Sequence, residues 1–193
     1  MGKKQWGHGY YTGYEEGKAE IIRKIFTTLV PPKYPLYNRW EKFFKKIGWT
    51  YKYRPFNINN WSPTFAIEGT NQTTLVDVRY GTSMDDFVEI ARDEVYPNVK
   101  NTPYEESEVL FLTSAIFKSG HSFNDFPVIG WLDDNMCGID EAILNCYNNC
   151  YGFFHTSGSW RDRITGLYDG NHKLSPPDKQ EVFRLWNAAE ISE

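Results

Sequence analysis

Asp77 and Arg79 stand two residues apart in the run LVDVRY, and Thr64 follows Pro63 in NNWSPTFAIEG. The direct reading of the Asp77 and Arg79 pair is a structural ion pair, or hydrogen bonds to nearby loop backbone. Cys146 and Cys150, with three residues between them, combine with Cys137 and His155 into four donors of the kind zinc accepts. The spacer is wider than the usual two residues and no second Cys pair follows, so ordinary free cysteines are the competing explanation. Lys42, Lys45 and Lys46, with Lys52 and Arg54 next along the chain, can contact a phosphate backbone or a partner. A solvated helix face explains the same run. The glycines of WGHGYYTGYEEG do not form a phosphate loop, because no Gly-Lys-Ser/Thr follows and no strand precedes. They suit an arm that packs Trp6, Tyr10 and Tyr14 or contacts a partner, and His8 stands alone in it. No Ser/His/Asp or Cys/His set emerges.

The elements that must position these residues follow from periodicity and punctuation. A helix is expected from about Glu15 to Leu29, closed by Pro31 and Pro32. A second helix follows in LYNRWEKFFKKIG, with Trp40, Phe43, Phe44 and Ile47 at helical spacing and Gly48 as its stop. Strands are expected over roughly 50–56, 64–68 and 74–80, with Gly69–Gln72 turning a hairpin between the last two. LVDV reads as a central strand buried on both faces. Ser83 caps a helix to about Val95, with Asp85 and Asp86 in its first turn and Met84, Phe87, Val88 and Ala91 as its apolar stripe. EVLFLTSAIF and the stretch 126–132 supply two more strands. The section 145–170 reads as irregular, and a last helix begins with Ser175 as cap and Pro176 and Pro177 in its first turn. The fold class is α/β, a single domain whose mixed central sheet is flanked by helices.

A chain of 193 residues fits one domain able to bury a core without disulfides. A formal charge of −4 excludes a strongly basic nucleic-acid binder and falls short of the acidity of a whole-surface DNA mimic. Aromatic residues, at 17%, supply core and contact surface. Three cysteines, no signal-like N-terminus and no membrane-length apolar run make the expected setting the cytoplasm, with no membrane partner.

The run RWEKFFKKIGWTYKYRPFNINNWSPTFAI, then LVDVRY, a helix and VLFLT, resembles phage and mobile-element proteins of the PD-(D/E)XK restriction-endonuclease-like superfamily. The likeness covers about residues 33–117, and the closing Leu-Trp-Asn-Ala-Ala is similar to the end of the same proteins. It implies a restriction-endonuclease-like core over 33–117, an N-terminal arm and helix over 1–32, and added strands, a Cys-containing insert and a helix over 118–193. It also implies a place for catalysis. In such nucleases two or three carboxylates hold Mg²⁺, the metal activates a water, and a lysine offsets developing charge. Aligned on the motif, the helix glutamate falls on Tyr37, the motif aspartate on Thr64, the strand glutamate on Asp77 and the lysine on Arg79. One carboxylate of the set remains. Glu68 would sit roughly 13 Å along the strand from Thr64, and Asp85 and Asp86 already serve the helix start.

The resemblance therefore implies a catalytically degenerate nuclease scaffold from a phage. Its expected function is binding a host protein or ribonucleoprotein, most concretely as an inhibitor of bacterial defence such as an anti-CRISPR protein. The alternative is a divergent Mg²⁺-dependent DNA nuclease. No cofactor is expected in the first case, Mg²⁺ in the second, and Zn²⁺ only through the Cys146–Cys150 set.

Overall fold

The structure is a computed structural model, and it describes residues 34–190 apart from 60, 82, 103, 105–106, 120–125, 135–136, 158–159 and 169–174. The expected Glu15–Leu29 helix and the aromatic arm lie outside the described residues.

The first element is helix α1 (Tyr34–Ile47). Its four core positions fall where the spacing puts them, with Trp40, Phe43, Phe44 and Ile47 all buried. Burying each such side chain contributes roughly 1.5–3 kcal/mol. Gly48 ends the helix at φ +79°, a conformation that a side chain would strain.

Strands β1 (Tyr51–Tyr53), β2 (Phe65–Glu68) and β3 (Thr73–Val78) form an antiparallel meander. The expected first strand is shortened because Arg54 turns into left-handed backbone at φ 44°. The chain then crosses over through α2 (Met84–Ile90), one π-helical turn (Ala91–Val95) and α3 (Tyr96–Val99). It returns as β4 (Val109–Lys118), parallel to β3. Strands β5 (Pro127–Asp134), β6 (Gly138–Tyr147) and β7 (Cys150–His155) continue antiparallel, completing a mixed seven-stranded sheet in sequence order. Helix α4 (Lys179–Asn187) closes the described chain.

The strands β6 and β7 correct the irregular section expected over 145–170. Asn148 and Asn149 join them with φ of 48° and 64°, the two positive values a tight hairpin turn requires. The cap of α4 also differs. Asp178, not Ser175, accepts the first-turn amides of Gln180 and Glu181, while Ser175 bridges to Cys146.

Helices cover both faces of the sheet. One face packs α1 and α4 against Phe65, Ile67, Val76, Val78, Leu110 and Leu144. The other packs the α2 segment against Leu75, Val109, Phe111 and Trp131. Trp49, between α1 and β1, donates its indole N–H to Tyr151 O on β7 at 2.8 Å and lies 5.2 Å from the Phe153 ring. Those strands stand at opposite ends of the sheet order, so the sheet curls around α1. Among the described residues no helix is long and apolar enough to cross a membrane.

Candidate functional site

Along β3, alternate side chains go to opposite faces. Val76 and Val78 enter the α1 core, whereas Leu75 and Asp77 point toward the α2 layer. A carboxylate at this central position is costly unless it is bonded, and Asp77 is only 2% exposed. Its oxygens are fully engaged. Arg79 forks onto it, Nε to Oδ1 at 2.9 Å and Nη2 to Oδ2 at 3.0 Å. The Trp61 indole donates to Oδ2 at 3.0 Å.

Arg79 holds a second acid. Its Nη2 also donates to Glu94 Oε2 at 2.8 Å. Glu94 lies in the π-helical turn, where one extra residue per turn resets which side chains face the sheet. Asn98 donates to the Glu94 carbonyl at 2.6 Å, and Asn59 donates to Asn98 in turn. Burial works to lower the Arg79 pKa, but the Asp77 and Glu94 carboxylates outweigh it and hold the guanidinium above the ordinary arginine value.

Thr64 precedes β2 and is buried. Its amide donates to Val76 O at 2.7 Å and its hydroxyl accepts from Val78 N at 3.2 Å, so it stitches the head of β2 to the end of β3. Tyr37 of α1 meets the same hydroxyl. Burial raises the Tyr37 phenol pKa above its usual value, the Thr64 hydrogen bond lowers it, Asp77 raises it, and Arg79 and Arg54 lower it. Tyr37, Thr64, Asp77 and Arg79, which the resemblance aligned on one motif, are therefore gathered at one end of β2 and β3. Glu68 is not among them; it pairs with Lys52 at 2.8 Å at the other end of β2. Asp86 accepts the Ser83 amide at 3.1 Å.

This donor set does not suit Mg²⁺. Both Asp77 oxygens already accept hydrogen bonds, Thr64 adds only a neutral oxygen, and a guanidinium stands between the two nearest carboxylates.

The zinc set does not assemble. In the β6–β7 register Cys146 opposes Tyr151 and Cys150 opposes Tyr147, which turns the two thiols to opposite faces. Cys137 precedes β6 and Cys146 lies near its far end, about 30 Å apart at strand rise. His155 is buried, with Nε2 3.0 Å from Gly138 O. Among the described residues no group of three or more His, Cys, Asp or Glu side chains is arranged to hold a metal.

The basic residues divide. Lys45 pairs with Glu41 at 2.8 Å, and Lys45 and Lys46 sit in the last turn of α1, where the helix dipole favours cations. Lys42 is half-buried. Arg54, exposed beside the Tyr53 ring with its guanidinium carbon 5.4 Å from the ring centroid, is the one within electrostatic reach of Tyr37.

Sequence reasoning missed Trp61 and Glu94. The Trp of NNWSP carried a findable signal, since a buried indole N–H needs an acceptor. Glu94 carried none, because regular helical spacing gives no sign of a π turn. No family model, curated protein or solved structure matches the chain.

Proposed function

We propose that this protein is a catalytically degenerate nuclease-like phage protein of restriction-endonuclease-like fold, acting by binding a host macromolecule. The most concrete version is an inhibitor of a bacterial defence system such as an anti-CRISPR protein, working in the host cytoplasm. One observation carries the first part. Asp77, the single acid that survives at the aligned positions, is enclosed and spends both oxygens on Arg79 and Trp61. The order of helix, antiparallel meander, crossover helix and parallel strand supports the scaffold assignment. The motif residues converging at the head of β2 and the end of β3 support it too. The binding role rests on the loss of chemistry together with an aromatic-rich, mildly acidic composition suited to protein contact.

The test is incubation of the purified protein with plasmid and single-stranded DNA in Mg²⁺ or Mn²⁺, beside an Asp77→Ala variant. No cleavage by either protein is expected. Cleavage by the wild type that the variant loses would overturn the reading and establish the divergent nuclease instead.

A further inference from the structure

Three of the large apolar side chains exposed among the described residues fall within nine positions: Tyr80 at 42%, Met84 at 40% and Val88 at 40%. Met84 and Val88 are one helical turn apart on α2, so they form a short column on one flank. Phe87 and Ala91 alone of the expected stripe turn inward. The hydrophobic flank is left uncovered within the described chain.

Beside it runs a second column. Asp85 and Glu89, also one turn apart, are both exposed. Among the described residues neither carboxylate is in a hydrogen bond or an ion pair. Like charges at this spacing weaken a helix; the helix N-terminus offsets Asp85 in part and the charge of Arg92 offsets Glu89 in part. Between 83 and 95 the chain carries five acidic side chains and one arginine, and that arginine, Arg92, is bound to Asp93. Methionine adapts its shape to varied partners. An apolar column next to a column with a surplus of exposed acids is one half of an interface whose other half is apolar and basic. Phosphate is excluded by the sign of the charge.

We propose that the Met84/Val88 flank of α2, with Asp85 and Glu89 beside it, docks a basic amphipathic segment of a partner protein. This rests on the binding role proposed above and gives that partner its surface chemistry.

The probe is a fluorescent amphipathic helix of about 18 Leu and Lys residues, with a Leu/Glu helix as control, followed by anisotropy. The wild type is expected to bind the Leu/Lys helix and not the control. Charge reversal at Asp85→Lys with Glu89→Lys should weaken binding about tenfold or more, and Met84→Ser with Val88→Ser should do the same. Circular dichroism melting reports that each variant folds. Absence of wild-type binding, or equal binding by the Met84→Ser/Val88→Ser protein, would overturn the proposal. Sedimentation adds one outcome: a wild-type dimer dispersed by the same charge reversals would make the occupant a second copy and also overturn it. DNA cleavage by the wild type would sink the degenerate-nuclease reading without altering the peptide result, so the two failures are separable.

Discussion

Arg79, just past β3, and Arg163, in the segment after β7, each hold two carboxylates, yet their surroundings differ. The Arg163 side chain is 2% exposed, and its partners Glu108 and Asp134 are 14% and 7% exposed. It forks onto Glu108, Nε to Oε2 at 2.7 Å and Nη2 to Oε1 at 2.6 Å, and Gln72 adds a further donor to the same carboxylate. Its backbone amide donates to Phe153 O, and the next residue accepts from Thr70 N. This arginine is a staple joining β7, the β2–β3 turn and the start of β4. The Arg79 side chain is 23% exposed and one of its acids, Glu94, is 44% exposed. Similar chemistry at a rim is open to solvent on one side. The Arg79 guanidinium stands between two carboxylates and is the cation they share.

That contrast predicts different responses to losing the arginine. Arg163→Met leaves Glu108 and Asp134 enclosed without their cation, and should cost about 3–5 kcal/mol by denaturant unfolding. A cost below about 1 kcal/mol would remove the staple from the account. Arg79→Ala should cost less, about 2–3 kcal/mol, because water reaches Glu94 and only Asp77 is stranded. In that variant Asp77 and Glu94 lose their tethered cation, so millimolar Mn²⁺ should raise its melting temperature and leave that of the wild type unchanged. Equal responses of the two proteins would break the comparison.

A smaller effect tests the enclosed end of the molecule by pH. Asp162 is fully buried. Its Oδ1 accepts the Ile164 and Thr165 amides at 2.7 Å, while Oδ2 lies against Gly152, where a Cβ would come within 1.8 Å of it. The Asn145 side chain faces it, near enough to act on its charge but outside good hydrogen-bond geometry. Burial pushes the Asp162 carboxyl above the usual aspartate value, against the pull of the Thr165 amide, the facing Asn145 side chain and the Ile164 amide. The fold therefore favours the protonated acid. Its contribution is complete below the unfolded value of about 3.9 and is lost as pH rises through the folded one. Asp162→Asn keeps the acceptor for the two amides and supplies a donor toward Asn145. It should stabilise by about 1 kcal/mol at neutral pH and flatten that part of the stability–pH curve. Destabilisation at neutral pH would show that the carboxylate is needed charged. The smallest expected change is Tyr37→Phe, which removes the phenol from Thr64 and should cost about 1 kcal/mol or less by the same unfolding measurement.

Much of the fold was legible. The aromatic column of α1, the two-face burial of LVDV and the hairpin at Gly69 all reflect local periodicity or turn chemistry, and they formed where the residues put them. The β6–β7 hairpin is faint in the sequence because Asn148-Asn149 is a quieter turn signal than Asn-Gly. Met84 and Val88 read as core because periodicity marks an apolar face but not how wide a groove receives it. Asp77 and Arg79 were visible as a pair. Glu94 was not, since a single π turn changes which residue reaches across, and no local propensity marks it.

The central claim is that Arg79, rather than a metal ion, is the cation held by Asp77 and Glu94 at the end of β3. Calorimetric titration of Mn²⁺ into the wild-type protein tests it most directly, with Asp77→Ala as the control. The account predicts no saturable binding below about millimolar metal, in either protein. Micromolar binding by the wild type that disappears in Asp77→Ala would contradict it.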